Sequence, residues 1–113
     1  MKLTISRESL LDPLQLVAGV VGRRQTLPIL SNLLLVAEDD SLTITGTDEE
    51  VELTAKITDV QVAEAGELTV PARKFMDICR SLADKALLTL KLDDGRLSVV
   101  SGSFRSHLAT LPA

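Results

Sequence analysis

With 113 residues, 45% hydrophobic and 25% charged, the chain has the size and make-up of one globular domain, able to bury a core without metals or disulfides. Twelve basic residues against sixteen acidic ones leave a net charge of −4, which argues against a uniformly basic nucleic-acid-binding surface but leaves room for a local basic patch. The longest apolar runs, such as Leu33 to Ala37, fall far short of the roughly 20 residues of a membrane-spanning helix, and Met1 to Ser6 alternates instead of forming a signal peptide's apolar block. A single cysteine, Cys79, cannot form an internal disulfide and fits a reducing cytoplasm.

In chain order, Leu3-Thr4-Ile5 is a short strand signal. From Arg7 to about Val21, Leu10, Leu11, Leu14, Val17, Ala18 and Val21 recur at spacings of three and four, which predicts a helix ended by Gly22, with Pro13 inside it. Arg23 to Ser31 reads as a loop. Leu33 to Ala37 predicts a strand buried on both faces, and Glu38 to Ser41 a turn. Leu42 and Ile44, then Val51, Leu53, Ala55 and Ile57, alternate with polar residues and predict two strands with one wet face. Val60 to Glu67 reads as a polar connection. Leu68-Thr69-Val70 predicts another strand, and a second helix opens at Pro71 or Ala72 with Phe75, Met76, Ile78, Cys79 and Leu82 as its stripe. Three strands follow, over Leu87 to Leu92, Arg96 to Val100 and Phe104 to Leu111, the first two joined by the hairpin signal Asp94-Gly95.

The order strand, helix, three strands therefore occurs twice, in half-repeats of about 1–58 and 67–113. Leu3-Thr4-Ile5 and Leu10-Leu11-Asp12 find counterparts sixty-five residues later in Leu68-Thr69-Val70 and Phe75-Met76-Asp77. The expectation is an α+β fold in one domain, 1–113, with two helices packed on antiparallel sheet.

Four blocks sharpen this. Arg23 to Asn32, Gly46-Thr47-Asp48 with Glu50-Val51-Glu52, Thr69 to Phe75 with Asp77-Ile78-Cys79, and Thr110-Leu111-Pro112-Ala113 occur in order along the whole chain. Together they resemble the first of three domains of the bacterial DNA polymerase III sliding clamp (β subunit) family. The resemblance implies a non-enzymatic processivity module with the DNA clamp fold, no cofactor and no metal. In that family two three-domain subunits join head to tail into a ring around duplex DNA, held without sequence readout, in the bacterial cytoplasm. Polymerase and clamp loader bind through later domains, the second of which would begin after Ala113.

By the same resemblance Arg24 and Arg73 are DNA contacts, with Arg7, Arg23 and Arg80 as further members of a basic lining. Ile78, Leu82 and Leu108 match positions that meet a partner subunit, with Lys74, Arg96 and Arg105 as charged rim; from the sequence alone the three apolar residues read as ordinary core. The chain departs from the family at Asp12, a position that can be basic, and at Ser106, where a phenylalanine is usual. Phe104 lies two residues from Ser106 on the same strand face and either refills that pocket or leaves the contact weaker or rebuilt.

Catalytic patterns are sparse. Cys79 and His107 are the only residues of their types; Cys79 sits in an apolar helical stripe and reads as inert. The acidic run Asp48, Glu49, Glu50 and Glu52 reads as a solvated edge and not as a metal cage. A second reading belongs to another class: a self-associating interaction domain that pairs through its edge strand.

Overall fold

The structure is a computed structural model and describes residues 1–19, 32–47 and 52–111. Its first strand, β1 (Lys2–Ser6), leads into helix α1 (Arg7–Ala18), followed by β2 (Asn32–Glu38), β3 (Ser41–Thr47) and β4 (Glu52–Ile57). After β5 (Val60–Glu64) the pattern recurs as β6 (Gly66–Pro71), helix α2 (Ala72–Ser81), β7 (Leu87–Asp93), β8 (Arg96–Ser101) and β9 (Phe104–Ala109).

The two helices start sixty-five residues apart, and their buried positions match. Leu10, Leu14 and Val17 of the first half correspond to Phe75, Cys79 and Leu82 of the second, all buried. The repeat in hydrophobic spacing is thus a repeat in packing.

The halves exchange their first strands. The five-stranded sheet runs β5-β1-β7-β8-β9 and the four-stranded sheet β4-β3-β2-β6, so β1 completes the second half's sheet and β6 the first's. All pairings are antiparallel; in β1–β7 Leu3 faces Leu90, and in β2–β6 Leu35 faces Leu68. Inward residues of both sheets and both helices merge in one core that includes Leu3, Leu35, Phe75 and Val99.

Local chemistry sets the boundaries. Ser6 caps α1: its Oγ accepts from the Ser9 N–H at 3.1 Å. The helix runs through Pro13, which forgoes the bond that the Ser9 carbonyl would otherwise accept. It ends at Ala18 with Gly19 as cap, earlier than the spacing predicts; Val21 and Gly22 lie outside the described residues. The hairpins β2–β3 and β7–β8 turn through residues with positive φ, Asp39 (47°) with Asp40 (60°) and Asp94 (48°) with Gly95 (76°), the conformation that two-residue hairpin turns require.

Three expectations are corrected. Val60 to Glu67 is not a bare connection: it holds β5 and the start of β6. Strand β5 pairs only with β1, through an irregular register at Lys2/Leu3, and one-sided pairing leaves its sequence little alternation to display. Strand β2 buries Leu33, Leu35 and Ala37, while Leu34 and Val36 are half-exposed, so only one of its faces is sealed. The last strand ends at Ala109; beyond it Leu111 forms a separate backbone pair with Thr69 of β6, at 2.9 and 3.2 Å, tying the chain's exit to the other sheet.

Candidate nucleic-acid and subunit-contact surfaces

Helix α2 begins after Pro71, which supplies no side-chain cap, and its first turn has no acidic residue. Arg73 and Lys74 occupy that turn, both exposed, and neither has an ion-pair partner among the described residues. Cations at a helix N-terminus oppose the helix dipole, so this placement does not serve helix stability. It does put two cations beside free N–H groups, a combination that attracts phosphate. Arg80, also exposed, lies two turns on along the same stripe in the last turn, where a cation suits the dipole, with exposed Asp77 between it and Arg73. Helix α1 offers no comparable charge: Glu8 and Asp12 are exposed on it, and Leu16 is 63% exposed. Arg23 and Arg24 lie outside the described residues.

Arg7, expected in the basic lining, has other work. Its side chain is only 16% exposed. From the start of α1 it reaches across to the end of α2, where Nε donates to the Cys79 carbonyl at 3.1 Å and Nη2 to the Arg80 carbonyl at 3.3 Å. Nη1 meets Glu8 Oε2 at 3.2 Å and Asp84 Oδ1 at 3.3 Å. The guanidinium therefore caps the C-terminus of α2 from the neighbouring helix. The Lys85 backbone N–H, and then Arg7, hold the Glu8 carboxyl below its ordinary range. Periodicity could not signal this role, since it depends on where α2 ends in space.

The residues expected at a subunit interface divide by depth. Leu82 and Leu108 are 8% and 4% exposed and belong to the core, so in this domain they support the surface from beneath. Ile78 and Phe104 are half-buried against that core. Phe104, Ser106 and Leu108 share the core-facing side of β9, opposite Ser101, Val99 and Leu97 of β8. Ser106 is half-buried, and Phe104 packs at the end of the same row. Among the described residues β9 is the free edge of its sheet, and it lies next to α2. The three rim cations are not gathered on one side: Lys74 is on the helix, whereas Arg96 and Arg105 occupy the sheet face turned away from the core, where they alternate with buried neighbours.

The candidate catalytic groups are kept apart. Cys79 is fully buried, and burial pushes its thiol up to about 12, offset only in part by Arg7. His107 is exposed on β9, on the face opposite the core that holds Cys79, so no Cys–His pair forms. Among the described residues no three His, Cys, Asp or Glu side chains converge as a metal site; Asp48, Glu49 and Glu50 lie outside them, and Glu52 is exposed on β4. A shallow depression of about 470 Å³ near β1 and β5 holds one carboxylate, Asp59, which accepts from Ser9 Oγ and thereby extends the α1 cap.

The family model described as DNA polymerase III beta subunit, N-terminal domain, matches residues 1–113. The chain belongs to this family. A curated relative named Beta sliding clamp, from Pseudomonas putida, is 58% identical over all 113 residues, which make up 31% of its length. Among solved structures, the DNA polymerase III subunit beta of Pseudomonas aeruginosa superposes with a TM-score of 0.96 at 56% identity, with all of this chain covering 31% of that one. The Caulobacter crescentus pol III beta also reaches 0.96, at 44% identity and 30% of its length. The chain thus spans about a third of the length of each of these three relatives. The two helices and two sheets of the described residues have the architecture of the sliding clamp's N-terminal domain. Among the described residues, no helix of this domain is long and apolar enough to cross a membrane.

Proposed function

We propose that this chain acts as the first domain of a sliding clamp, a non-catalytic processivity module that helps encircle duplex DNA in the bacterial cytoplasm. One observation carries the reading: Arg73 and Lys74 stand exposed and without an ion-pair partner among the described residues, on the helix turn where the dipole disfavours cations, in a chain whose relatives are named sliding clamps. Arg73, with Arg24 from the preceding half, is the DNA contact, and Arg80 and Arg23 extend it. Such contacts pair with phosphates without reading bases, as sliding requires. Asp77 and Asp12 keep the attraction weak, so grip comes from encirclement. Polymerase and clamp loader engage later domains of the longer protein.

The same reading gives the β9 edge and α2 to a second subunit. Ile78 and Phe104 form the accessible apolar contact, Leu82 and Leu108 its support, and Lys74, Arg96 and Arg105 the charges around it. An unpaired edge strand beside a half-buried apolar patch suits pairing with another chain. The free edge also favours a second reading, in which the isolated domain pairs with itself through β9. Sedimentation of the 113-residue chain at rising concentration separates the two: a monomer removes the second reading.

The test uses the longer clamp protein that contains this chain, loaded on circular DNA. Arg73→Glu with Arg24→Glu is expected to shorten its retention on DNA by roughly tenfold, equally on unrelated sequences, with a smaller difference from the parent at high salt. Tight, sequence-dependent binding by the 113-residue chain at physiological salt would overturn the reading.

A further inference from the structure

The two sheets present faces of opposite charge to the outside. On the five-stranded sheet the residues turned away from the core include Lys2, Lys91, Arg96 and Arg105, all exposed, against two carboxylates, Glu64 and Asp93. On the four-stranded sheet the corresponding face has Lys56 alone against Glu38, Glu52 and Glu67. A chain of net charge −4 thus concentrates positive charge on one sheet face.

The arrangement is ordered. Strand register places Lys2 directly across from Lys91, Lys91 across from Ser98, and Ser98 across from His107, with Glu64 across from Lys2 on its other side and Asp93 across from Arg96. Like charges directly opposite one another cost stability. Neither lysine has an ion-pair partner among the described residues. The row crosses three strand gaps, about 14 Å, with Arg105 to one side and Arg96 to the other. Short hydroxyl side chains, Thr4, Thr89 and Ser98, floor the space between the cations. Neither phenylalanine is available for base stacking, since Phe75 and Phe104 face the core, which leaves the imidazole of His107 as the one ring on this face among the described residues.

We propose that this face docks an extended, acidic segment of a partner protein, its carboxylates placed on Lys2 and Lys91 and its polar backbone over the hydroxyl floor. Charge complementarity selects the partner, and a single imidazole at one end of the row offers successive bases of a single-stranded nucleic acid no continuous platform. The surface lies on the opposite side of the sheet from the helices; Lys2 and Lys91 have no part in the DNA or subunit contacts proposed above, and only the flanking Arg96 and Arg105 are shared with the subunit contact.

The experiment titrates the 113-residue chain with a labelled polyglutamate peptide, read by anisotropy and by amide shifts, with single-stranded and duplex oligonucleotides as competitors. Shifts centred on Lys2, Lys91, Ser98 and His107 are expected. Lys2→Glu with Lys91→Glu is expected to weaken binding by roughly tenfold, while Lys56→Glu on the opposite face leaves it unchanged. Lys91→Glu alone places opposite charges across the ladder and keeps the fold, so it serves if the double variant does not fold; it is expected to weaken binding severalfold. Unchanged affinity in these variants, shifts mapping to α2, or an oligonucleotide that occupies this face more tightly than the peptide would each overturn the proposal.

Discussion

Arg7 illustrates how a side chain's role depends on what stands opposite it. As the first residue of a helix it looks like one more surface cation. In the folded chain its fork reaches the carbonyls of Cys79 and Arg80 at the end of α2, of which the Cys79 carbonyl also accepts the Leu82 N–H at 3.4 Å. Hydrogen bonds from a charged donor contribute more than neutral ones, so Arg7→Ala is expected to lower stability by roughly 1.5–3 kcal/mol, measured by urea unfolding. Arg7→Lys should recover only part of that loss, because an ammonium lacks the planar fork that serves both acceptors. A variant as stable as the parent would show that solvent replaces the guanidinium at these carbonyls. Arg73 is the contrasting case: exposed and set against the dipole, it is the cation whose loss should be neutral or slightly favourable for the helix while weakening DNA retention.

At the scale of elements, the close approach of α1 to β3 fixes how the first helix sits. A Cβ built on Gly46 would stand 2.8 Å from Val17 Cγ1 and 2.9 Å from the Val17 carbonyl oxygen. The second of these neighbours is backbone and cannot swing aside. Gly46→Ala is therefore expected to cost about 1–3 kcal/mol through overpacking, read as a lower unfolding midpoint. Gly95→Ala adds no contact within 4 Å but strains a φ of 76°. The elements themselves were largely legible, because alternation in β3, β7 and β8 and the three-four spacing in both helices follow directly from which face meets the core. Strand β5 was not, because its order comes from pairing at a sheet edge and not from burial of an alternating face. The end of α1 was misjudged because Val21 continues the apolar spacing, yet the helix stops at Ala18.

At the scale of the molecule, the exchange of β1 and β6 makes the halves inseparable. Each half lacks the strand that completes its own sheet, so unfolding one would strip an edge and part of the core from the other. One cooperative transition is expected: amides of β1 and β6 should exchange at the same slow, global rate in native-state hydrogen exchange. Survival of β2–β4 protection after β7–β9 has melted would count against this.

The sequence by itself determined the α+β class, the doubled order of elements, most of the buried residues and, through four blocks that in their order resemble one family, the domain type. These are consequences of periodicity and of short stretches, which the chain carries locally. Tertiary structure alone decided which strand completes which sheet, that Arg7 caps a helix far from it in sequence, that Leu82 and Leu108 lie beneath the candidate interface, and that Lys2 and Lys91 stand side by side. Each of these depends on distances between residues remote along the chain, and such distances are set by packing the whole core at once.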